Sequence, residues 1–228
     1  IILVDNASND NSHYNCKKKF STINLIENKT NLGFCEANNI GIRHSKGDFI
    51  VLLNPDTEVE PDWLAKLYKA CKKQGEGLYQ PKILYPFDKK TIYTTGNVLS
   101  LFGLVHHRGV NLKDTGQYNK FEKIGNPSGA CLFTSRKTLD EIGYLDPYLF
   151  AYYDDSGLAW RAAHLGIHSY YVPDSVIYHW EGQSFKKMRK KRFYLLQRNR
   201  WYCLLTLYSR STLFRILPSL ILFEIFSF

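Results

Sequence analysis

The run Asp48 to Leu53, DFIVLL, is almost wholly apolar and stops at Asn54-Pro55-Asp56. It reads as a central strand covered on both faces, because a half-exposed strand would alternate polar and apolar side chains. Pro55 has no amide hydrogen to extend a ladder, so the strand ends there and leaves Asp56 at its edge. Shorter segments of the same kind recur: Ile1 to Val4, Ile23 to Ile26, Ala130 to Thr134 and Val176 to His179. Between them, apolar residues fall at helical spacing. Glu36 to His44 puts Ala37 and Ile40 on one side, and a helix from Pro61 and Asp62 through Lys72 lines up Trp63, Leu64, Leu67, Tyr68 and Cys71. Lys137 to Ile142 and the residues after Asp154-Asp155, with Leu158, Trp160, Arg161 and Leu165, read as two more helices. This alternation predicts an α/β domain with a Rossmann-like, mostly parallel central sheet flanked by helices. Leu78 to Lys123 is less regular and reads as short strands and a long loop.

A chain of 228 residues with 44% hydrophobic character can bury one substantial core. Thirty Lys and Arg against twenty-one Asp and Glu leave a formal charge of +9, which favours an anionic partner: a nucleotide, a phospholipid surface or nucleic acid. No RNA- or DNA-binding motif appears, so nucleic acid is the least expected of these. The five cysteines are scattered without a CxxC pair, which fits a reducing cytosol better than a disulfide or zinc framework. The opening Ile1-Ile2-Leu3-Val4 shows no signal-peptide pattern and reads as the inside of a strand, with an earlier strand expected to be missing.

The character changes near the end. Lys186, Lys187, Arg189, Lys190, Lys191 and Arg192 crowd seven positions, and a helical pattern with Phe193, Leu196, Trp201, Leu204, Leu205 and Tyr208 follows. Leu213 to Phe228 is apolar but interrupted by Arg215, Pro218 and Glu224, which suits an interfacial helix, a docked helix or part of a span. The expected division is therefore 1–185 for the main domain and 186–228 for a basic and apolar helical segment. A basic cluster beside an apolar end fits an anionic membrane surface, and is otherwise a solvated face.

Three places carry chemistry. Asn54-Pro55-Asp56-Thr57 is either a plain turn or a strand edge where a carboxylate holds a divalent cation against a diphosphate. Asp154-Asp155 either cap a helix or supply a general base whose pKa is raised by the aromatic run Phe150-Ala151-Tyr152-Tyr153. His179 is either a satisfied histidine or a metal ligand or phosphate donor.

In order along the chain, VDNAS, NLGF..ANN, GDFIVLLNPDTEV, PSGACLF, GYLDPYLFAYYDD, LAWR and H..GQS resemble the family 2 glycosyltransferases, especially their rhamnosyltransferase-like members. The resemblance spans nearly the whole chain and implies a GT-A fold and sugar transfer from a nucleoside diphosphate sugar to a glycan or lipid-linked acceptor, with inversion. It implies a nucleotide-sugar site of Asp5, Asn6, Asn31, Gly33, Asn38, Asn54 and Asp56, with Asp5 on the base. Mg2+ or Mn2+ falls to Asp56, with His179 near the metal or diphosphate. Asp155 is implied as general base with Asp154 beside it, and Ser128, Gly129, Trp160 and Arg161 as the acceptor side. The implied setting is cell-surface polysaccharide or lipid-linked glycan assembly at the cytoplasmic face of the cell membrane. Asn54 stands where many relatives have Asp, which predicts weaker cation binding. Gly157 stands where relatives commonly have Asp, which predicts altered acceptor contacts. A non-catalytic scaffold of the same fold and a nucleotidyltransferase are the alternative functions.

Overall fold

The computed structural model describes residues 1–180 and 189–227. Its first half runs Ile2–Asp5 (β1), Ser12–Lys19 (α1), Asn24–Glu27 (β2), Gly33–His44 (α2), Phe49–Leu53 (β3), Thr57–Val59 (β4), Trp63–Gln74 (α3) and Leu78–Leu84 (β5). Short strands Ile92–Thr94 (β6), Asn97–Leu99 (β7), Val105–His107 (β8) and Glu122–Ile124 (β9) follow, then Cys131–Ser135 (β10) and Arg136–Ile142 (α4). A 3-10 turn at Pro147–Leu149 leads to Asp154–His164 (α5), Ser169–His179 (β11), Arg189–Leu207 (α6) and Arg210–Ser227 (α7).

The main sheet has the order β3-β10-β5-β11-β4, with β6 on β5 and β9 on β11, while β1 and β2 form a separate pair. Among the described residues, parallel pairing is confined to β1–β2 and β5–β11; β10 runs antiparallel to both β3 and β5, so the sheet is mixed. The expected α/β sheet flanked by helices is present, and its strands include unbroken apolar runs such as β3. Such runs report burial on both faces, which β10 shares although it is antiparallel: all five of its residues are buried.

Side-chain alternation divides the core between the two sheet faces. Ile50, Leu52 and Leu132 join Cys35 and Ile42 of α2, Leu139 and Ile142 of α4 and Leu158 of α5 on one face. Phe133 and Tyr79 join Leu67 and Cys71 of α3 on the other, with Phe49 and Val51 packed alongside. Each such Leu or Ile contributes about 1.5–3 kcal/mol by leaving water. An apolar groove of about 410 Å³ between α3 and β3, lined by Phe49, Val51, Leu64, Ala65, Tyr68 and Phe133, carries no carboxylate or imidazole.

The C-terminal helices pack against the rest. Cys203 of α6 belongs to the first core cluster, and Arg200, 1% exposed, pairs with Glu224 of α7 and donates to the Phe102 carbonyl. On α7, Ile216 and Leu220 are buried while Phe214, Leu217, Ile221, Leu222, Ile225 and Phe226 are exposed. No helix among the described residues is long and apolar enough to cross a membrane. The expected boundary at 185/186, together with Lys186, Lys187 and the GQS part of the last motif, lies outside the described residues.

Candidate functional site

The carboxyl edge of β1 is knitted to the loop after β2 by one side chain. Asn6 Nδ2 donates to Asn31 Oδ1 and to the Gly33 carbonyl, both at 3.0 Å, and its Oδ1 accepts from Asn28 Nδ2 and the Leu32 amide. Asn31 Oδ1 also accepts the Gly33 amide at 2.9 Å. Asp5, 8% exposed, accepts the Ser8 amide at 3.0 Å and has His13 Nδ1 at 3.4 Å. Asp5, Asn6, Asn31 and Gly33 thus lie together, with Asn6 and Asn31 shaping the loop.

Gly33 has a further task. Its φ is +86°, and a Cβ there would stand 2.5 Å from the Phe150 ring and 2.6 Å from the Phe150 carbonyl oxygen. The Cys35 amide donates to that same oxygen at 3.2 Å. The start of α2 therefore holds the loop that leads into α5. Phe150, Tyr152 and Tyr153 all have positive φ, at 63°, 68° and 61°. Three non-glycine residues in this region within four positions are strained and persist only where surrounding contacts fix them.

That loop presents Asp154 and Asp155 in the first turn of α5. The helix is not capped by either carboxylate: Tyr153 occupies the capping position with no side-chain bond. Asp155 accepts the Gly129 amide at 2.7 Å and the Ser156 amide at 2.6 Å, with the Ser156 hydroxyl at 3.1 Å. Burial raises both carboxyls above the usual carboxylate range, Asp154 to about 7, where the neighbouring Asp155 charge adds to the shift. For Asp155, the Gly129 and Ser156 donors and the His107 ring oppose the rise.

Asn54, Asp56 and His179 meet where β4 pairs with β11 in the main sheet. β4 pairs antiparallel with β11, setting His179 opposite Thr57 and bringing its Nε2 to 3.1 Å from Asp56 Oδ1. The hydrogen bond from His179 lowers the Asp56 pKa, which keeps it a carboxylate. Asn54 Nδ2 lies 3.4 Å from the same ring nitrogen. Asn54 Oδ1 and His179 Nδ1 are buried without a hydrogen-bond partner. The two acidic centres are joined through consecutive residues: the Asn54 amide donates to the Ala130 carbonyl at 3.0 Å, and the Gly129 amide donates to Asp155. An aromatic series also runs between them, His179 to Tyr93 at 5.0 Å between ring centroids and Tyr93 to His107 at 4.9 Å.

Other expected site residues are engaged elsewhere. Asn38 donates within its own helix to the Phe34 carbonyl, while the buried Asn39 beside it exchanges hydrogen bonds with the Leu145 backbone. Ser128 is 4% exposed, its amide bonded to Gln80 and its hydroxyl to the Ala130 amide. Arg161 donates to the Ile142 and Tyr144 carbonyls, which satisfies the end of α4, and Trp160 packs edge-on against Tyr208. Of the expected acceptor-side set, only Gly129 touches Asp155. A Cβ on Gly157 would stand in ordinary contact with Leu149 and Cys203. Tyr93 and His107 were not anticipated; the His106-His107-Arg108-Gly109 cluster was the available signal, in the segment with the weakest periodicity.

Comparisons with known proteins show the family and the fold. At 25% identity over 165 residues, the chain is similar to the low-salt glycan biosynthesis hexosyltransferase Agl10 of Haloferax volcanii, matching 71% of this chain and 52% of that protein. It is 23% identical over 206 residues to the N-acetylglucosaminyl-diphospho-decaprenol L-rhamnosyltransferase of Mycobacterium tuberculosis, covering 81% and 67% of the two chains. The chain thus spans about half the length of Agl10. Among solved structures, GalNAc-T7 with UDP, GalNAc and Mn2+ superimposes with a TM-score of 0.67 at 18% identity, over 90% of this chain and 41% of that one. The mannosyltransferase PcManGT of Pyrobaculum calidifontis, in complex with GDP-Man and Mn2+, gives 0.57 at 16% identity, over 98% and 70%. The fold is that of the GT-A glycosyltransferases. The family model described as Glycosyl transferase family 2 matches residues 1–143, and the chain belongs to that family.

Proposed function

We propose that this chain catalyses inverting transfer of a sugar from a nucleoside diphosphate donor to a glycan or lipid-linked acceptor, with Asp155 as general base and a divalent cation, Mg2+ or Mn2+, at Asp56. The observation that carries this reading is the tie of both acidic centres to neighbouring backbone groups, Asp155 to Gly129 and Asn54 to Ala130. In the proposed step Asp155 takes the proton of an acceptor hydroxyl, whose oxygen bonds to the anomeric carbon. The bond to the diphosphate oxygen breaks on the opposite face, and the configuration inverts. A base raised above the ordinary carboxylate range binds that proton more strongly, while the Gly129 and Ser156 donors fix its direction.

The residues at Asp56 fit a cation. Asp56 is an accessible carboxylate, His179 Nε2 faces it, and the Asn54 amide oxygen is buried with no partner of its own. No cluster of three His, Cys, Asp or Glu that could hold a metal forms among the described residues, so Asp56 would be the one carboxylate among them to hold the cation. A cation held there supplies positive charge for the departing diphosphate. At the other end, Lys191 lies over the Phe150 ring at 4.6 Å and Arg192 over Tyr152 at 5.7 Å, which sets positive charge beside the base loop. With the exposed apolar side of α7, these basic residues support docking on the anionic cytoplasmic face of a membrane, where a lipid-linked acceptor would lie.

The test is a panel of UDP-, GDP- and dTDP-linked sugars incubated with the protein and Mn2+, with nucleoside diphosphate release measured and the product anomer read by NMR. Release of diphosphate with an inverted product is expected. A retained configuration overturns the single displacement, release of pyrophosphate from a sugar phosphate and nucleoside triphosphate favours nucleotidyl transfer, and binding with no turnover favours a scaffold.

A further inference from the structure

The base loop is held from a second side by α6, where Asn199 is fully buried. Its Nδ2 lies 2.9 Å from the Leu149 carbonyl oxygen, 2.8 Å from that of Ala151 and 2.8 Å from that of Tyr152. Arg198 orients the amide by donating from Nε to Asn199 Oδ1 at 2.9 Å, and its own Nη2 reaches the Tyr148 and Leu149 carbonyls at 2.7 and 2.9 Å. The Leu149 carbonyl also accepts the Ala151 amide at 2.7 Å, whereas those of Ala151 and Tyr152 meet Asn199 from a stretch outside any helix or ladder.

We infer that Asn199 is a positioning residue for transfer: by gathering the Leu149, Ala151 and Tyr152 carbonyls around one amide, it fixes the strained turn that delivers Asp155 to the Gly129 amide. The inference rests on the reading of Asp155 as the base. Opposite α6, Gly33 and the Cys35 amide press on Phe150, so the turn is clamped between α2 and α6. Tyr153, the last residue of the turn, is tied a third way, its hydroxyl donating to the Gly103 carbonyl at 2.8 Å. Loss of the Asn199 donors takes that partner from the Ala151 and Tyr152 carbonyls, and the turn relaxes toward ordinary backbone angles at the expense of the Asp155 position. Neither an aspartate, which has no N–H to give, nor a leucine of similar size replaces this function.

The test compares Asn199→Leu and Asn199→Asp with wild type by amide hydrogen exchange and by turnover. The Gly129 and Ser156 amides, both bonded to Asp155, are expected to lose protection by about tenfold more than the amides of β5 and β10, because local opening and global unfolding are separable. A purely structural Asn199 would lower all of them by one common factor, and that result overturns the inference. With any donor the wild type turns over, kcat is expected to fall about 100-fold with little change in donor KM, the cost of a base displaced by about an ångström. Where a variant does not fold, Arg198→Ala gives the same comparison with a smaller effect, and unchanged relative protection in it also overturns the inference. Asp155→Asn separates the two claims: full turnover in that variant removes the base assignment, while the exchange result still decides whether Asn199 holds the turn.

Discussion

Gly33 and Phe150, 117 positions apart in the sequence, touch so closely that no side chain fits between them: a Cβ on Gly33 would lie 2.5 Å from the ring and 2.6 Å from the carbonyl oxygen. The contact joins the loop at the carboxyl edge of β1 and β2 to the turn that carries Asp154 and Asp155. A residue that reads as part of a nucleotide pocket is also a seat for the acid loop. Gly33→Ala is expected to destabilise the protein by about 2–5 kcal/mol, from the left-handed backbone and the clash together. Thermal unfolding measures the loss, and a melting temperature within a degree of wild type would remove Gly33 from this role.

The buried acid pair makes stability depend on pH in a definite direction. Asp154 has its folded pKa raised from the ordinary 3.8 to about 7, and Asp155 is raised as well. A carboxyl raised by folding contributes stability that is fully present below its unfolded pKa and is lost as pH climbs through the folded one. Wild type is therefore expected to lose melting temperature between pH 4 and pH 8 on account of this pair. Asp154→Asn should flatten that slope; an unchanged slope in the variant would contradict the assignment of burial as the cause.

Catalysis has the opposite pH sign. Asp155 acts as a base only once it has lost its proton, so kcat should rise with pH on the acid side, with its midpoint above the range of a free carboxylate. The acid limb of the rate profile checks this, and a limb that coincides with an ordinary aspartate would contradict the raised value.

Beside Asp56, Asn54 presents a neutral amide oxygen where a carboxylate would add a charge. Asn54→Asp is expected to tighten Mn2+ binding about tenfold, because ligand charge is a principal determinant of divalent affinity. Isothermal titration with Mn2+ and a nucleoside diphosphate measures it. Weaker binding in the variant would show that Asn54 does not face the cation.

The frame and the positions of two acidic centres were legible in the sequence for local reasons. DFIVLL is continuous and ends at a proline, so both the strand and the position of Asp56 could be read directly; β3 was observed as Phe49–Leu53. Asp155 stood out because its helix begins beside an aromatic run. Asn199 was not legible: its carbonyl partners lie 47 to 50 positions away, and no spacing in the chain encodes them. Arg161 stood on the acceptor side through the family resemblance, and its guanidinium bonds the Ile142 and Tyr144 carbonyls at the end of α4, partners no spacing in the chain encodes. Tyr93 and His107 fall among short strands whose side-chain pattern is set by tertiary pairing rather than by local periodicity. The likeness to relatives ordered these residues along the chain, and the fold determined which of them meet.

The most direct measurement of the central claim is turnover by Asp155→Asn under saturating donor and Mn2+. Removing the proton acceptor while keeping the size of the side chain is expected to lower kcat by about 100-fold or more, with donor affinity unchanged. Near-normal turnover in the variant would contradict Asp155 as the base, and with it the proposed mechanism.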